Sequence, residues 1–411
     1  MKKKILIIGG GASGLMAAIT AAGNNAEVTI CEKNDRVGKK ILATGNGKCN
    51  ISNRNLTMNN YFTENPDRLI SYFNVFDVED TISFFKECGL LLKDKNGYLY
   101  PACEQAATVL DILRNRIKQL DVTVLNTIEI LESDLFYNES GTWNIRINGK
   151  TFVYDAVILA CGSYAGLIKG EKFSGYSIAK KMGHTVLTPF PALVQLICKE
   201  KFFPSISGVR CDAFLTLKSG HEVLTTERGE LQIADYGISG IPVFQFSRIV
   251  AVKLSKEEKI SVNIDFLPDY DRDEWKLFIM NRLITYQGED VETFFTGLLH
   301  KKLNVLFIKL YSLKVQELVK EVNYDKIMNA CMAMKDFTVT PIATKPFENA
   351  QTTAGGVMLS QLDNNLQSVI HPNLYFCGEI IDVDGKCGGY NLQWAWTSGY
   401  IAGNSASKQD N

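Results

Sequence analysis

The chain opens on an apolar run, Lys4-Ile5-Leu6-Ile7-Ile8, that passes directly into Gly9-Gly10-Gly11-Ala12-Ser13-Gly14. A short continuous apolar run stopped by a turn signal predicts a buried strand. Leu15 to Ala22, rich in Ala and Leu, predicts a helix, and Glu27-Val28-Thr29-Ile30-Cys31 a second strand ending at Glu32. Residues 67–92 carry Leu69, Ile70, Phe73, Phe76, Ile82, Phe85 and Leu90 on one helical side, so one helical stretch is expected, with an extended turn at Gly97 to Pro101. Ala106 to Leu120 predicts a helix and Val122 to Leu125 a strand. Ile128 to Leu135, Trp143 to Ile147 and Thr151 to Tyr154 alternate like antiparallel strands, with turns at Ser140-Gly141 and Asn148-Gly149. Asp155 to Ser163 returns as a buried strand that ends in a glycine turn.

From Phe190 the pattern changes. Leu193 to Ile197, Ala213 to Leu217, Val223 to Thr226 and Ile260 to Ile264 read as strands, with a helical piece at Val243 to Leu254. Between Asp269 and Met334 apolar residues recur at helical spacing, and the aromatics of 294–311 read as core. Phe337 to Thr340 reads as a strand returning toward the first domain. Asn373 to Phe376 is a further strand, ending in Gly378-Glu379, and Gly388-Gly389 opens a helix through Trp394 to Ala402. The order predicts an α/β doubly wound sheet with a crossover meander. Expected boundaries are residues 1–189 and 347–411 for the first domain, 190–267 with 336–346 for a β-rich insertion, and 268–335 for a helical subdomain.

Composition narrows this picture. At 411 residues and 46% apolar the chain can bury more than one core. A net charge of −1 gives no argument for global attraction to nucleic acid or membrane. No apolar run has the length of a membrane span, and the Lys2-Lys3-Lys4 run leads into glycines rather than a signal sequence. Ten cysteines without a C-x-x-C pair suggest reduced thiols in a cytoplasmic enzyme, and four scattered His make no zinc motif.

The chemistry concentrates in the glycine turns. Gly9, Gly11 and Gly14 form G-x-G-x-x-G between strand and helix, with the acid Glu32 closing the next strand. The first Gly permits the turn, the second lets a pyrophosphate approach, the third lets helix pack on strand, and the acid is placed for a ribose diol. By composition the stretch Lys33 to Asn53 is a solvated loop; its place after the acid makes it a candidate ligand lining. The Gly388-Gly389 turn aims a second helix N-terminus, and one extended ligand would explain both.

Three stretches then coincide with a known family. The opening Gly9 to Ala18, the loop Thr44-Gly45-Asn46-Gly47-Lys48-Cys49-Asn50 and the closing Gly378-Glu379 with Gly388-Gly389-Tyr390-Asn391 resemble the HI0933-like flavoproteins. These include NAD(P)/FAD-dependent oxidoreductases of bile-acid enone reductase-like and aminoacetone oxidase-like types. The resemblance covers nearly the whole chain. It implies FAD as cofactor, a glutathione-reductase-like FAD-binding Rossmann domain, an inserted β-barrel-like domain and a small helical subdomain. By position it places Gly9, Gly11, Ala12, Ser13 and Gly14 at the pyrophosphate, Glu32 and Lys33 near the adenosine ribose, and Ile128 at adenine. Lys40, Thr44, Gly45, Asn46, Gly47, Cys49 and Asn50 would run beside the flavin, with Gly162 in the same cofactor set. Gly378 and Glu379 would reach the ribitol, and Gly389, Tyr390, Asn391 and Leu392 would present N–H groups to the pyrimidine edge.

With one nucleotide fingerprint in the chain, a second Rossmann domain is not expected, so NAD(P)H would act as a transient electron donor at the flavin. A disulfide-reductase mechanism needs a cysteine pair, and Cys49 has no sequence neighbour, leaving Cys387 as a partner only in space. The leading expectation is NAD(P)H-dependent reduction of an activated C=C bond, an enone in a steroid or bile-acid-like small molecule, with Tyr390 or Lys386 as proton donor. Gly229 to Phe246 offers either a substrate wall or an ordinary turn and core helix. The alternatives are a small-amine oxidase using molecular oxygen, a flavin-dependent reductase of ribosomal RNA uridine, and a non-catalytic flavin module. The RNA reading would need a basic face, for which Lys199, Lys201, Arg210, Lys253, Lys256, Lys259, Lys301 and Lys302 are available.

Overall fold

The computed structural model describes residues 2–167 and 173–408. The expected first-domain ranges also span residues 1, 168–172 and 409–411, which lie outside the described residues. Two compact units emerge, residues 1–190 with 352–411, and residues 191–351.

The first unit is built on a five-stranded sheet in the order Leu374–Phe376, Ala156–Leu159, Lys4–Ile8, Glu27–Glu32, Thr123–Asn126. Every pair is parallel, with Ile7 opposite both Ile158 and Ile30. Continuous apolar runs suit such strands because both faces are covered. The chain winds outward from Lys4–Ile8 on one side, then crosses back to add strands on the other. The strand order therefore reverses beside the first strand, where open α/β sheets leave a crevice at the carboxyl ends. Gly9 and its neighbours sit at that end.

Two helices of this unit pack on each other. Ala12–Gly23 follows the turn, and Tyr390–Ser407 packs against it. Gly399 and Gly403, one turn apart, permit this approach, since a Cβ would stand 2.5 Å from the Ser13 carbonyl oxygen and 2.4 Å from that of Ala17. A three-stranded antiparallel meander of Leu135–Tyr137, Trp143–Ile147 and Lys150–Tyr154 fills the crossover.

Several expectations change here. The stretch 67–92 is two helices, Pro66–Phe73 and Val78–Glu87, because Asp77 caps the second, accepting from the amides of Glu79 at 2.7 Å and Asp80 at 3.0 Å. What read as a turn at 97–101 is half of a hairpin, Leu92–Lys95 with Tyr98–Pro101. Residues 128–134 are not strand; a 3-10 turn occupies Glu132–Asp134 before the strand begins at Leu135.

The second unit carries a seven-stranded antiparallel sheet in the order Phe337–Val339, Ile260–Asp265, Arg210–Ser219, Glu222–Ala234, Gly237–Ser239, Leu196–Cys198, Pro341–Thr344. Its two end strands are consecutive in the chain with only Thr340 between them, so the sheet curls until its ends meet. Phe337–Val339 thus belongs to this sheet and does not lead out of it, and the expected strand at 193–197 is interrupted at Leu193, whose φ is +50°. The helices Ile241–Ser255, Arg272–Thr285, Lys301–Leu310 and Tyr324–Met332 share the sheet's core, in which Val262, Phe246, Trp275, Phe307 and Ile327 are buried together.

Candidate functional site

The fingerprint turn is shaped by three glycines with different duties. Gly9 has φ +106°, and a Cβ there would lie 2.4 Å from the Ala160 carbonyl oxygen. A Cβ at Gly14 would lie 2.0 Å from the Gly9 oxygen, so this glycine lets the helix sit on the turn. Gly11 differs: no atom comes within 4 Å of a Cβ built on it. The middle glycine therefore faces open space beside the helix N-terminus, as a cradle for an approaching phosphate requires. No acid stands in the first turn of that helix.

Glu32 is buried and already occupied. Its Oε2 accepts the Gly10 amide at 2.8 Å, and its Oε1 accepts the Asn34 amide at 2.8 Å and Asn34 Nδ2 at 2.6 Å. The carboxylate organises the turn, and a ribose diol would share its remaining lone pairs. Lys33 is exposed beside it. The Ile128 amide donates to the Glu32 carbonyl at 2.9 Å, which leaves the Ile128 carbonyl, rather than its N–H, for a base.

A second polar centre forms around Glu379. Lys40 Nζ stands 2.7 Å from Oε2, Ser163 Oγ 3.2 Å from the same oxygen, and Thr352 Oγ1 3.1 Å from Oε1. Thr353 Oγ1 donates to Ser163 Oγ at 3.0 Å and accepts the Ala165 amide at 3.1 Å. The neighbouring Gly378, at φ +78°, rests on Ser13, whose Oγ is 2.3 Å from where a Cβ would be. The two ends of the chain thus meet at one place. Ser163, Thr352 and Thr353 were missed from sequence; the signal was the Thr-Thr-Ala-Gly-Gly run at 352–356, where both glycines have positive φ.

The third part joins the loop 44–53 to the turn 385–392. Gly45, Asn46 and Cys49 take left-handed backbone, which folds the loop tightly. Ser52 Oγ donates to Gln393 Oε1 at 2.5 Å, Trp396 Nε1 to the Ile51 carbonyl at 3.0 Å, and Asn53 Nδ2 to the Gly388 carbonyl at 3.1 Å. Gly389, at φ +92°, heads the last helix, and its Cβ would lie 2.7 Å from the Ser52 oxygen. Asn391 turns its amide away, exchanging two 2.9 Å hydrogen bonds with the Gly385 backbone, so its side chain holds the turn. Leu392 is half-buried next to it.

Tyr390 is buried, its ring edge-on to Tyr61, which donates to the Tyr390 carbonyl at 2.8 Å. Burial, then Tyr98, pushes its phenol above the usual range. Lys386 is half-exposed in the same turn. The ten cysteines are free thiols. Burial pushes Cys49 up to about 11 and Cys377 to about 12, so both stay protonated at neutral pH and neither offers a nucleophilic thiolate. Among the buried polar atoms of the described residues that lack a partner are Asn50 Oδ1, and Tyr176 Oη, which feels the charges of Glu379 and Asp382. With the open faces at Gly11, Gly47 and Gly162, these fit an extended ligand laid along the three parts.

The basic residues suggested for RNA are interleaved with acids. Lys253 pairs with Glu258 at 2.7 Å, Arg210 with Glu230 at 3.5 Å, and Lys302 Nζ donates to the Ser207 carbonyl at 2.6 Å. Among the described residues no helix is long and apolar enough to cross a membrane.

The model of the HI0933-like protein Rossmann domain matches residues 3–405. The chain is 39% identical over 413 residues to the 3-dehydro-bile acid delta(4,6)-reductase of Clostridium scindens, covering 99% of each protein. It is 28% identical to the ribosomal RNA dihydrouridine synthase of Haemophilus influenzae, covering 98% of each. Among solved structures, the 3-ketosteroid-delta4-(5alpha)-dehydrogenase of Rhodococcus jostii RHA1, in complex with 4-androstene-3,17-dione, superposes with a TM-score of 0.50 at 14% identity, covering 99% of this chain and 97% of that one. That likeness concerns the fold.

Proposed function

The chain belongs to the HI0933-like protein family, and from that premise we propose that it is an FAD-dependent oxidoreductase using NAD(P)H to reduce a C=C bond conjugated to a ketone in a steroid-like, bile-acid-type substrate. The observation that carries the substrate class is the end-to-end similarity to a bile-acid reductase. The cofactor rests on the open cradle at Gly11 and on the family.

FAD, when bound, supplies hydride transfer between donor and substrate. The chain's own residues bind and orient. Gly9 to Gly14 offer backbone N–H groups and a concave face to the phosphates. The carboxylate of Glu379, fixed on three sides by Lys40, Ser163 and Thr352, is a preset acceptor for a polyol hydroxyl. The last helix begins without a side-chain cap and without an acid in its first turn, so its partial positive charge is free for a ring edge that gains negative charge. Saturating a conjugated C=C also needs a proton at the carbon next to the carbonyl. Tyr390, kept protonated by burial, and Lys386 are the candidates we assign.

Anaerobic stopped-flow reduction of the FAD-loaded protein by NADH and NADPH, followed by mixing with a steroid enone, tests this. Fast reduction and fast reoxidation by the enone are expected, with slow reoxidation by air. Reduction only by a small amine, with fast reoxidation by oxygen, would replace the reductase with an oxidase. A second reading, reduction of uridine in ribosomal RNA, is favoured by the end-to-end similarity to the dihydrouridine synthase. Reoxidation by ribosomal RNA fragments but by no enone would select it; the acid pairing of Lys253 and Arg210 weighs against it.

A further inference from the structure

Asn50 is 8% exposed, and its Oδ1 is buried with no hydrogen-bond partner. A buried amide oxygen left unpaired is costly, and in native structures such an atom is met by protein, water or ligand. Its position is fixed from both sides. Cys49 before it takes left-handed backbone and donates its amide to the Thr44 carbonyl at 3.0 Å, while Ser52 and Ile51 after it are hydrogen-bonded to Gln393 and Trp396. Oδ1 lies 2.9 Å from where a Cβ on Gly389 would be, at the head of the eighteen-residue helix Tyr390–Ser407. The amides of Tyr390, Asn391 and Leu392 have no intrahelical acceptor, and no side chain caps them.

One fixed acceptor therefore stands beside a group of uncapped donors. This is the complement of an imide edge, in which a carbonyl oxygen and an N–H alternate. We propose that Asn50 Oδ1 accepts the N3–H of the pyrimidine ring of bound flavin, while the first-turn amides of the last helix donate to the adjoining C2 carbonyl oxygen. The assignment rests on the FAD reading above and deepens it. It makes Asn50 a positioning residue that selects a ring with a free imide N–H and sets its register against the helix.

The test compares FAD with N3-methyl-FAD, which lacks that hydrogen, by fluorescence titration of the apoprotein. The wild type should bind FAD about 10-fold more tightly than the methylated cofactor, the worth of one neutral hydrogen bond at a site otherwise left unpaired. Asn50→Ala should lose that preference and bind FAD about 10-fold more weakly, whereas Asn50→Asp, which keeps an acceptor oxygen, should retain the preference. Thermal melts of the apoproteins check that the variants fold, and the wild-type comparison needs no variant. Equal binding of both cofactors by the wild type, or an undiminished preference in Asn50→Ala, would overturn the assignment. Failure of the wild type to take up either cofactor would overturn the FAD reading, and the role of Asn50 with it.

Discussion

The two units bury polarity very differently. In the first, the buried set includes three carboxylates, Glu32, Asp382 and Asp384, with Asn50, Ser52, Asn53, Ser163, Thr352, Thr353 and Gln393. Most of these lie in the segments that follow the parallel strands Glu27–Glu32, Ala156–Leu159 and Leu374–Phe376. In the second, the buried polar side chains among the described residues are Ser239, Ser247 and Asn304. Asn304 stitches backbone, donating to the carbonyls of Phe295 at 2.7 Å and Leu299 at 3.1 Å, and Ser247 accepts the Val194 amide at 3.2 Å. Gln195 and Glu200 each bury one unpartnered oxygen there, but both residues are only half-buried. Burying polar groups costs free energy unless they are paired, so a domain that gathers them at one edge is organised around something polar. The second unit, taken alone, is an apolar core wrapped by a sheet and helices.

The largest effect that would separate the two is in the second unit's core. Phe307→Ala, at a fully buried ring packed on Phe266 and Phe337, should cost about 3–5 kcal/mol of stability in urea titrations, with FAD affinity of the folded fraction unchanged. A loss of affinity as large as the loss of stability would break the comparison.

Next comes a buried polar group of the first unit away from the glycine turns. His184 is held down to about 4, by burial first and His371 second. The folded value lies below the unfolded one, so the stability is present above pH 6.5 and is lost as pH falls toward 4. The loss should be roughly 3 kcal/mol. Urea midpoints at pH 7, 5.5 and 4.5 would show it, and His184→Gln should flatten that part of the slope.

A smaller change in stability with a clear change in binding is expected at the cradle. Gly11 has φ −76° and open space around it, so Gly11→Ala should alter stability by less than about 0.5 kcal/mol. FAD should nonetheless bind at least about 10-fold more weakly, because the added methyl occupies the phosphate's approach. Smallest of all, Lys40→Met removes an ion pair whose lysine side chain is 53% exposed. It should cost less than about 1 kcal/mol, and a few-fold change in FAD affinity would mark how far Lys40 positions Glu379.

Much of the first unit was legible in the chain itself. The strand, glycine turn, helix and second strand at 4–32 were readable because each signal is local: an apolar run, a steric exemption at Gly, a terminal acid. Helical stripes in 272–332 were readable for the same reason. Boundaries failed where one residue redirected the backbone, as at Asp77 and Leu193, because a cap or a left-handed residue leaves little periodic trace.

What local pattern determined is therefore the α/β character of the first unit, its phosphate-binding turn and the existence of a second region with its own core. Tertiary structure alone decided that Glu379 is held by Lys40, Ser163 and Thr352, that Glu32 is spent on Gly10 and Asn34, and that Asn50 faces the head of the last helix without a partner. Periodicity and glycine sterics act between near neighbours, whereas these partners are brought together by the strand order and by two glycines that let the last helix seat on the first.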